Sequence, residues 1–309
     1  MKKTQFRGII ILFAAAFIWG SSFVAQSIGM EIIEAFTYNG IRTLMGAAVL
    51  LPIVASKEIK ELRSALPEKR KDIKRKNLSQ WKYGVLPGLA LCVASNFQQF
   101  AFIYSTPGKI AFITALYMLF VPIIELFLGK RAPKLMWICV AAGAAGLYFL
   151  SLPSGQFTGL NLGDVLSLIC AVFFAVHIIL IDRYSADIDP VKLSFMQFTT
   201  SGVISCVLMF IFETPNTEAI NSAILPLLYS GLLSCGIAYT FQIIGQKHTE
   251  PTLASLIMCM ESVFGVLSAA VVLHQIPTSR EVSGCVLMFA AIIAAQFSDK
   301  FNPRRKQNP

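Results

Sequence analysis

The sequence predicts an all-α integral membrane protein: ten transmembrane helices in two inverted five-helix repeats. Three observations predict it. Of the 309 residues, 55% are apolar and 14% charged, where soluble domains carry about 25% charged residues. Ten apolar stretches follow one another, and about 20 residues suffice for a helix to cross a bilayer. Finally, Leu89–Pro133 matches Leu233–Pro277 at a constant offset of 144 positions (233 minus 89).

The first span lies near Gly8–Ala25, behind the basic Met1–Arg7. A cleaved signal peptide is the alternative there. The length of the stretch and the spans that follow favour a helix that stays. The second span, Ala35–Ala55, carries Asn39 and Arg42 and gives way to the charged Lys57–Lys82. The third, Tyr83–Tyr104, contains Asn96, Gln98 and Gln99, and Pro107 marks the link to the fourth, Lys109–Leu128. Pro133 separates it from the fifth, Lys134–Leu152. The second set lies near Leu162–Ile181, Lys192–Phe212, Ala223–Gly245, Thr252–Leu273 and Ser279–Phe297, with Pro251 and Pro277 in corresponding links. All runs are rich in Leu, Ala, Ile, Phe and Gly. Barrel strands would be shorter and would alternate polar with apolar.

The net charge of +9 is not a nucleic-acid footprint, because of where it sits. Lys57–Lys82 alone holds ten Lys or Arg against four Asp or Glu. With a cytoplasmic N-terminus and ten crossings, twenty-three of the 26 basic residues fall inside, only Lys109 and Arg280 fall outside, and Arg42 lies within a helix. This positive-inside asymmetry makes the chain a multi-pass protein of the cytoplasmic (inner) membrane with both termini cytoplasmic. The basic loop is expected to rest on the anionic headgroups of the lipid bilayer.

Each of the seven cysteines falls in a different span, without metal or redox spacing. They read as small packing residues. The three histidines are far apart, and there is no glycine-rich phosphate loop, His-Glu-x-x-His or Gly-x-Ser-x-Gly. No catalytic set, metal site or cofactor is therefore expected.

The offset of 144 gives eight identities: Leu89/Leu233, Ala94/Ala238, Phe97/Phe241, Gln98/Gln242, Pro107/Pro251, Ile113/Ile257, Phe120/Phe264 and Pro133/Pro277. Span three thus matches eight, and four matches nine. Five spans per unit is an odd number, so the second unit enters the membrane with opposite orientation. The units are residues 1–152 and 153–309. Secondary transporters are often built this way, with the substrate site near the midplane where the repeats meet. A receptor or scaffold, the alternative reading, has no need of two equivalent gates.

Particular residues also resemble a known family. Trp19-Gly20 within Phe13–Ser22, the run Ala35–Arg42, Ala175–Asp182 leading into Asp189-Pro190 and Gln197, and Ala238–Pro251 look like the EamA family of the drug/metabolite transporter superfamily. The likeness keeps the order of all ten helices. It implies two five-helix repeats and export or exchange of small polar metabolites, often amino acids or related compounds. Two positions depart from the family pattern. Glu261 precedes Ser262 where Glu-Pro is common, and Leu128-Gly-Lys-Arg131 stands where Gly-Glu is common.

Polar groups within the spans are the candidate site. A charge at the bilayer centre costs about 2.5–3.5 kcal/mol on insertion scales, so it faces a cavity or a partner. Glu261 lies mid-span and its repeat mate is Tyr117. It can relay protons, pair with a substrate amine, or sit in a fixed ion pair with Arg42. Arg42, with Asn39 three residues before it on the same face, suits a substrate carboxylate or a gate. Gln197 holds the corresponding place in span seven without a charge. Asn96 aligns with Thr240 and Gln98 with Gln242. Asn96 is nearer mid-helix and is the expected cavity amide, together with Tyr239 or Thr240. Such amides also join helices, at about 0.6 kcal/mol each. Glu125 and His177 lie near the inner ends, and Trp19 reads as a cavity-wall or an interfacial belt residue, the belt being the ordinary place for it. Gly84/Gly88, Ala142/Gly146, Ala290/Ala294 and Ala291/Ala295 permit close contact, inside the bundle or in a homodimer. Pro122 and Gly129 are the expected hinges of span four.

Overall fold

The computed structural model describes residues 3–105, 107–130, 132–151, 161–272 and 278–296. Among them every regular element is helical. Span one is α1 (Lys3–Met30) and span two α2 (Ala35–Ser64). A short helix α3 (Pro67–Ser79) precedes span three, α4 (Trp81–Tyr104). Span four is broken into α5 (Pro107–Ala115) and α6 (Tyr117–Phe127), and span five is α7 (Lys134–Ser151). Spans six and seven are α8 (Leu162–Tyr184) and α9 (Pro190–Phe212). After α10 (Thr217–Ser222), span eight runs through α11 (Ile224–Leu228), a π-helical stretch Tyr229–Ala238 and α12 (Tyr239–Gln246). Span nine is α13 (Pro251–Met258) plus α14 (Met260–Val272), and span ten is α15 (Ser279–Gln296). Among the described residues nine spans are long and apolar enough to cross a membrane, and the tenth, Lys134–Leu150, is shorter. The boundary between 152 and 153 lies outside the described residues.

The segment expected as a basic loop is mostly helix. Its lysines, arginines and glutamates are good helix formers, so α2 continues past the apolar run. It stops at Ala65, whose extended ψ of 145° precedes Leu66 and the helix-starting Pro67. We call the side of the bundle bearing α3 the basic face. There α1 begins and α15 ends.

The outer band is apolar, with Phe17, Ile138, Val207, Phe210 and Val286 exposed, whereas Asn39, Gln98, Gln197 and Glu261 are buried. This is the distribution that lipid, rather than water, demands. Helix ends are closed by acids. Glu213 at the end of α9 accepts from Phe36 N and Thr37 N, both at 2.7 Å, at the start of α2. Asn161 and Asp164 form a capping box on α8, and Asp164 also takes the Lys109 ammonium at 2.6 Å. On the basic face Lys57 meets Asp189 at 3.0 Å and Lys192 meets Glu58 at 2.6 Å. Lys130 joins Glu125 and Asp182 there, at 3.3 and 3.4 Å.

The packing is exchanged by swapping spans one to five with six to ten. α2 lies along α9 and α7 along α15, each span against its own mate. α4 packs on α8 as span eight packs on α1, and α1 packs on α14 and α13 as α8 packs on α6 and α5. Close approach at the α7–α15 seam needs glycine. A Cβ on Gly146 would stand 2.9 Å from the Gly284 carbonyl, and one on Gly284 2.6 Å from that of Gly146. Gly84 and Gly88 are likewise used inside the bundle, against Met196 and Thr200 of α9.

Span four breaks at Leu116, not at Pro122 or Gly129. Pro122 lies inside α6, and Gly129, with φ of 80°, follows its end. Span nine breaks at Cys259, next to the position equivalent to Leu116. Both breaks are closed by tightened i→i−3 bonds, Leu116 N to Ile113 O and Ser262 N to Cys259 O. The feature therefore belongs to the place in the fold rather than to a proline.

Candidate functional site

Two apolar layers frame the interior. One gathers Leu12, Tyr117, Met118, Leu147, Leu256 and Met288; the other gathers Ala47, Leu50, Leu91, Phe198 and Cys235. Phe174 packs on both, and a small, partly open cavity of about 50 Å³ lies where they meet. The two breaks of spans four and nine flank it, a site geometry familiar from carriers with discontinuous helices.

The lining comes in equivalent pairs. At the offset of 144 it includes Gln98 with Gln242, Thr114 with Met258, and Tyr117 with Glu261. Spans one and two correspond to six and seven at an offset of 155 (197 minus 42). That offset adds Trp19 with Phe174 and Phe23 with Ile178. Gln26, Arg42, Ser234 and Tyr239 complete the wall. Equivalent positions meet at the centre. Tyr117 Oη donates to Glu261 Oε1 at 3.2 Å, and Cys259 Sγ donates to the Ala115 carbonyl at 3.3 Å. An approximate two-fold axis thus runs between the broken spans.

Arg42 and Glu261 face this cavity without pairing with each other. Arg42 Nε donates to Asn39 Oδ1 at 3.0 Å, and its guanidinium lies 5.5 Å from the centre of the Tyr38 ring. Asn39 is fixed in turn: its Nδ2 donates to Ser95 Oγ and Asn96 Oδ1, both at 3.0 Å. Asn96 Nδ2 donates to Ser205 Oγ at 2.9 Å and the Cys92 carbonyl at 2.8 Å. The Arg42 terminal nitrogens and Glu261 Oε2 make no hydrogen bond among the described residues, so they are uncommitted polar atoms.

The structure therefore brings Arg42, Tyr117, Tyr239 and Glu261 together and leaves other expected residues outside the cavity wall. Asn96 does not line it. Gln98, two positions on, does, because the Asn96 amide is consumed in the knot with Asn39 and Ser205. Thr240 is also off the wall; its hydroxyl donates to the Gly236 carbonyl at 2.7 Å and shares a 3.0 Å hydrogen bond with Ser194. Asn39 backs Arg42. Gln197 pairs with His177, its Oε1 lying 2.9 Å from His177 Nε2. The fixed ion pair between Glu261 and Arg42 is absent. Trp19 is no belt residue: its ring meets Tyr239 edge-on at 4.7 Å and its buried Nε1 has no partner. Gln26 was not singled out by the sequence. Trp19, Ser22 and Gln26 stand at i, i+3 and i+7 on α1, and all three carry unpartnered buried polar atoms. That polar stripe on an otherwise apolar helix was the available signal.

The family model of EamA-like transporters matches residues 6–152 and again residues 161–295. The chain is similar to an "Uncharacterized transporter" of Archaeoglobus fulgidus, 28% identical over 90% of this chain and 82% of that protein. It is 21% identical to "Uncharacterized transporter YoaV" of Bacillus subtilis, over 93% and 96% of the two chains. With "Uncharacterized inner membrane transporter YedA" of Escherichia coli K12 it shares 24% identity over 85% and 83%. A solved crystal structure superposes with a TM-score of 0.74 over 97% of this chain and 99% of that one, at 19% identity, which shows a common fold.

Proposed function

The chain belongs to the EamA-like transporter family, and from that premise we propose that it carries a zwitterionic small metabolite, such as an amino acid, through the cavity between its repeats. One observation carries the reading. A guanidinium and a carboxyl group face one shared space, unpaired with each other and each with free polar atoms. Arg42 suits the solute's carboxylate, since its planar fork matches that group. Glu261, steadied by Tyr117, suits the ammonium. Trp19, Phe174 and Tyr239 supply apolar and aromatic wall for a side chain. The protein acts as a carrier rather than an enzyme, exporting or exchanging its solute at the expense of a gradient. Residues 1–152 and 153–309 are its two repeats, and the basic face is cytoplasmic.

Counterflow in proteoliposomes with a panel of labelled L-amino acids tests this. Accumulation is expected for one or more free amino acids, and loss of competition when the carboxylate is esterified or the amine acetylated. Arg42→Gln should erase the preference for the free carboxylate, and Glu261→Gln that for the free amine. Blocked and free compounds competing equally well would end the zwitterion reading. A proton-relay role for Glu261 is the second reading, favoured by its depth and its uncommitted Oε2. In that case Glu261→Gln keeps counterflow and affinity but loses accumulation driven by a pH gradient.

A further inference from the structure

Beyond the cavity, the bundle holds a sealed polar pair that the transport reading leaves without a task. Gln197 and His177 are both fully buried. Each keeps one polar atom without any partner, Gln197 Nε2 and His177 Nδ1. Leaving such a group unpaired is costly, and native proteins keep few of them without reason.

Their position is not arbitrary. Gln197 is the offset-155 mate of Arg42, and His177 is the mate of Ser22, whose hydroxyl is also buried and unpartnered. Gln197 lies seven positions past Pro190, where α9 starts on the basic face; Arg42 lies seven past Ala35, where α2 starts on the far face. The surroundings are built twice as well. Beside Arg42, Asn39 bonds Asn96, which bonds the Cys92 carbonyl. Beside Gln197, Ser194 bonds Thr240, which bonds the Gly236 carbonyl. These are equivalent residues at both offsets. Tyr239 joins the two places, since it lines the cavity and its ring stands edge-on to His177 at 6.1 Å.

We propose that Gln197 and His177 form a second polar seat for the transported zwitterion, occupied when the basic-face side of the carrier is open. Swapping the conformations of two inverted repeats exchanges the environments of equivalent positions. The space now open beside Arg42 then opens beside Gln197. The Gln197 amide donates to the solute's carboxylate. His177, whose Nε2–H is held by Gln197 Oε1, offers Nδ1 as acceptor to the ammonium. Rotation of Tyr239 connects this seat with the cavity. The seat carries no fixed positive charge, so it binds the carboxylate less tightly than Arg42 does. This inference rests on the transport reading above.

The test uses full-length protein reconstituted with one face outward and the amino acid giving the largest counterflow signal. Gln197→Met keeps size and removes the donor. It should raise KM for solute offered at the basic face about tenfold, one hydrogen bond's worth, and leave KM at the far face unchanged. Gln197→Arg, copying Arg42, should lower KM at the basic face only. Equal changes at both faces, or none, overturn the proposal. The wild type gives an independent reading through carbethoxylation of His177 by diethyl pyrocarbonate, followed by mass spectrometry. Slower modification with solute present supports the seat; no modification at all, or no protection, overturns it. Absence of wild-type counterflow with every amino acid would instead remove the transport reading beneath it.

Discussion

Asn39 shows how much of this site is indirect. It does not itself line the cavity, yet its amide holds Arg42 Nε on one side and the Ser95–Asn96–Ser205 knot on the other. Without it the guanidinium has no fixed direction. A hydrogen bond to a charged group contributes about 1.5–3 kcal/mol. Asn39→Ala is therefore expected to weaken binding of a free amino acid about tenfold or more, while its methyl ester, which has no carboxylate for Arg42, binds unchanged. Isothermal titration of both ligands checks this. Equal loss for both would mean that Asn39 supports only the packing. Tyr117 and Glu261 were legible in the sequence as mates, because a constant offset needs no knowledge of side-chain direction. Their hydrogen bond could only be seen in the fold.

The helices themselves depart from regularity where they meet the cavity. Spans four and nine break beside it, and span eight passes it as the π-helical stretch Tyr229–Ala238, from which Ser234 reaches the wall. Such interruptions concentrate at functional sites. Their cost is tolerated because neighbouring elements re-satisfy the freed backbone groups, as Cys259 Sγ does for the Ala115 carbonyl. Away from the cavity the seams are tight instead. Gly146→Val would push a branched side chain onto the Gly284 carbonyl, and backbone cannot yield as a side-chain tip can. Overpacking of this kind costs about 1–3 kcal/mol. A lower thermal midpoint in detergent is expected, with solute affinity of the surviving folded protein unchanged. A variant as stable as the parent would show that α7 and α15 separate easily.

At the scale of the whole molecule, charge decides orientation. The helix α3 is exposed along its length and carries six basic residues, Lys69, Arg70, Lys71, Lys74, Arg75 and Lys76, against Glu68 and Asp72. Translocating such a cluster is disfavoured. In a background freed of native cysteines, Lys74→Cys is expected to resist an impermeant maleimide in intact cells, whereas Glu218→Cys on the opposite face reacts. The reverse pattern would invert the assigned topology. The same whole-molecule symmetry explains why two helix pairs, α2 with α9 and α7 with α15, each pack a span against its own counterpart.

The sequence alone determined the spans, their number, the basic face and the pairing of Tyr117 with Glu261. These rest on local, additive quantities: hydropathy over a window, charge in a loop, identity at a fixed offset. The tertiary structure decided which side of each helix looks inward. Asn96 and Gln98 are two positions apart, about 200° around a helix, and in lipid both faces of a span are apolar, so no amphipathic stripe tells them apart. Only the packing of α4 against α2 and α9 turns Asn96 into the knot and Gln98 into the cavity. Equally, nothing local could reveal that Arg42 and Glu261 share a space without touching. That separation is set by where spans two and nine stand in the bundle, and in the proposed function it is what leaves both groups to a solute.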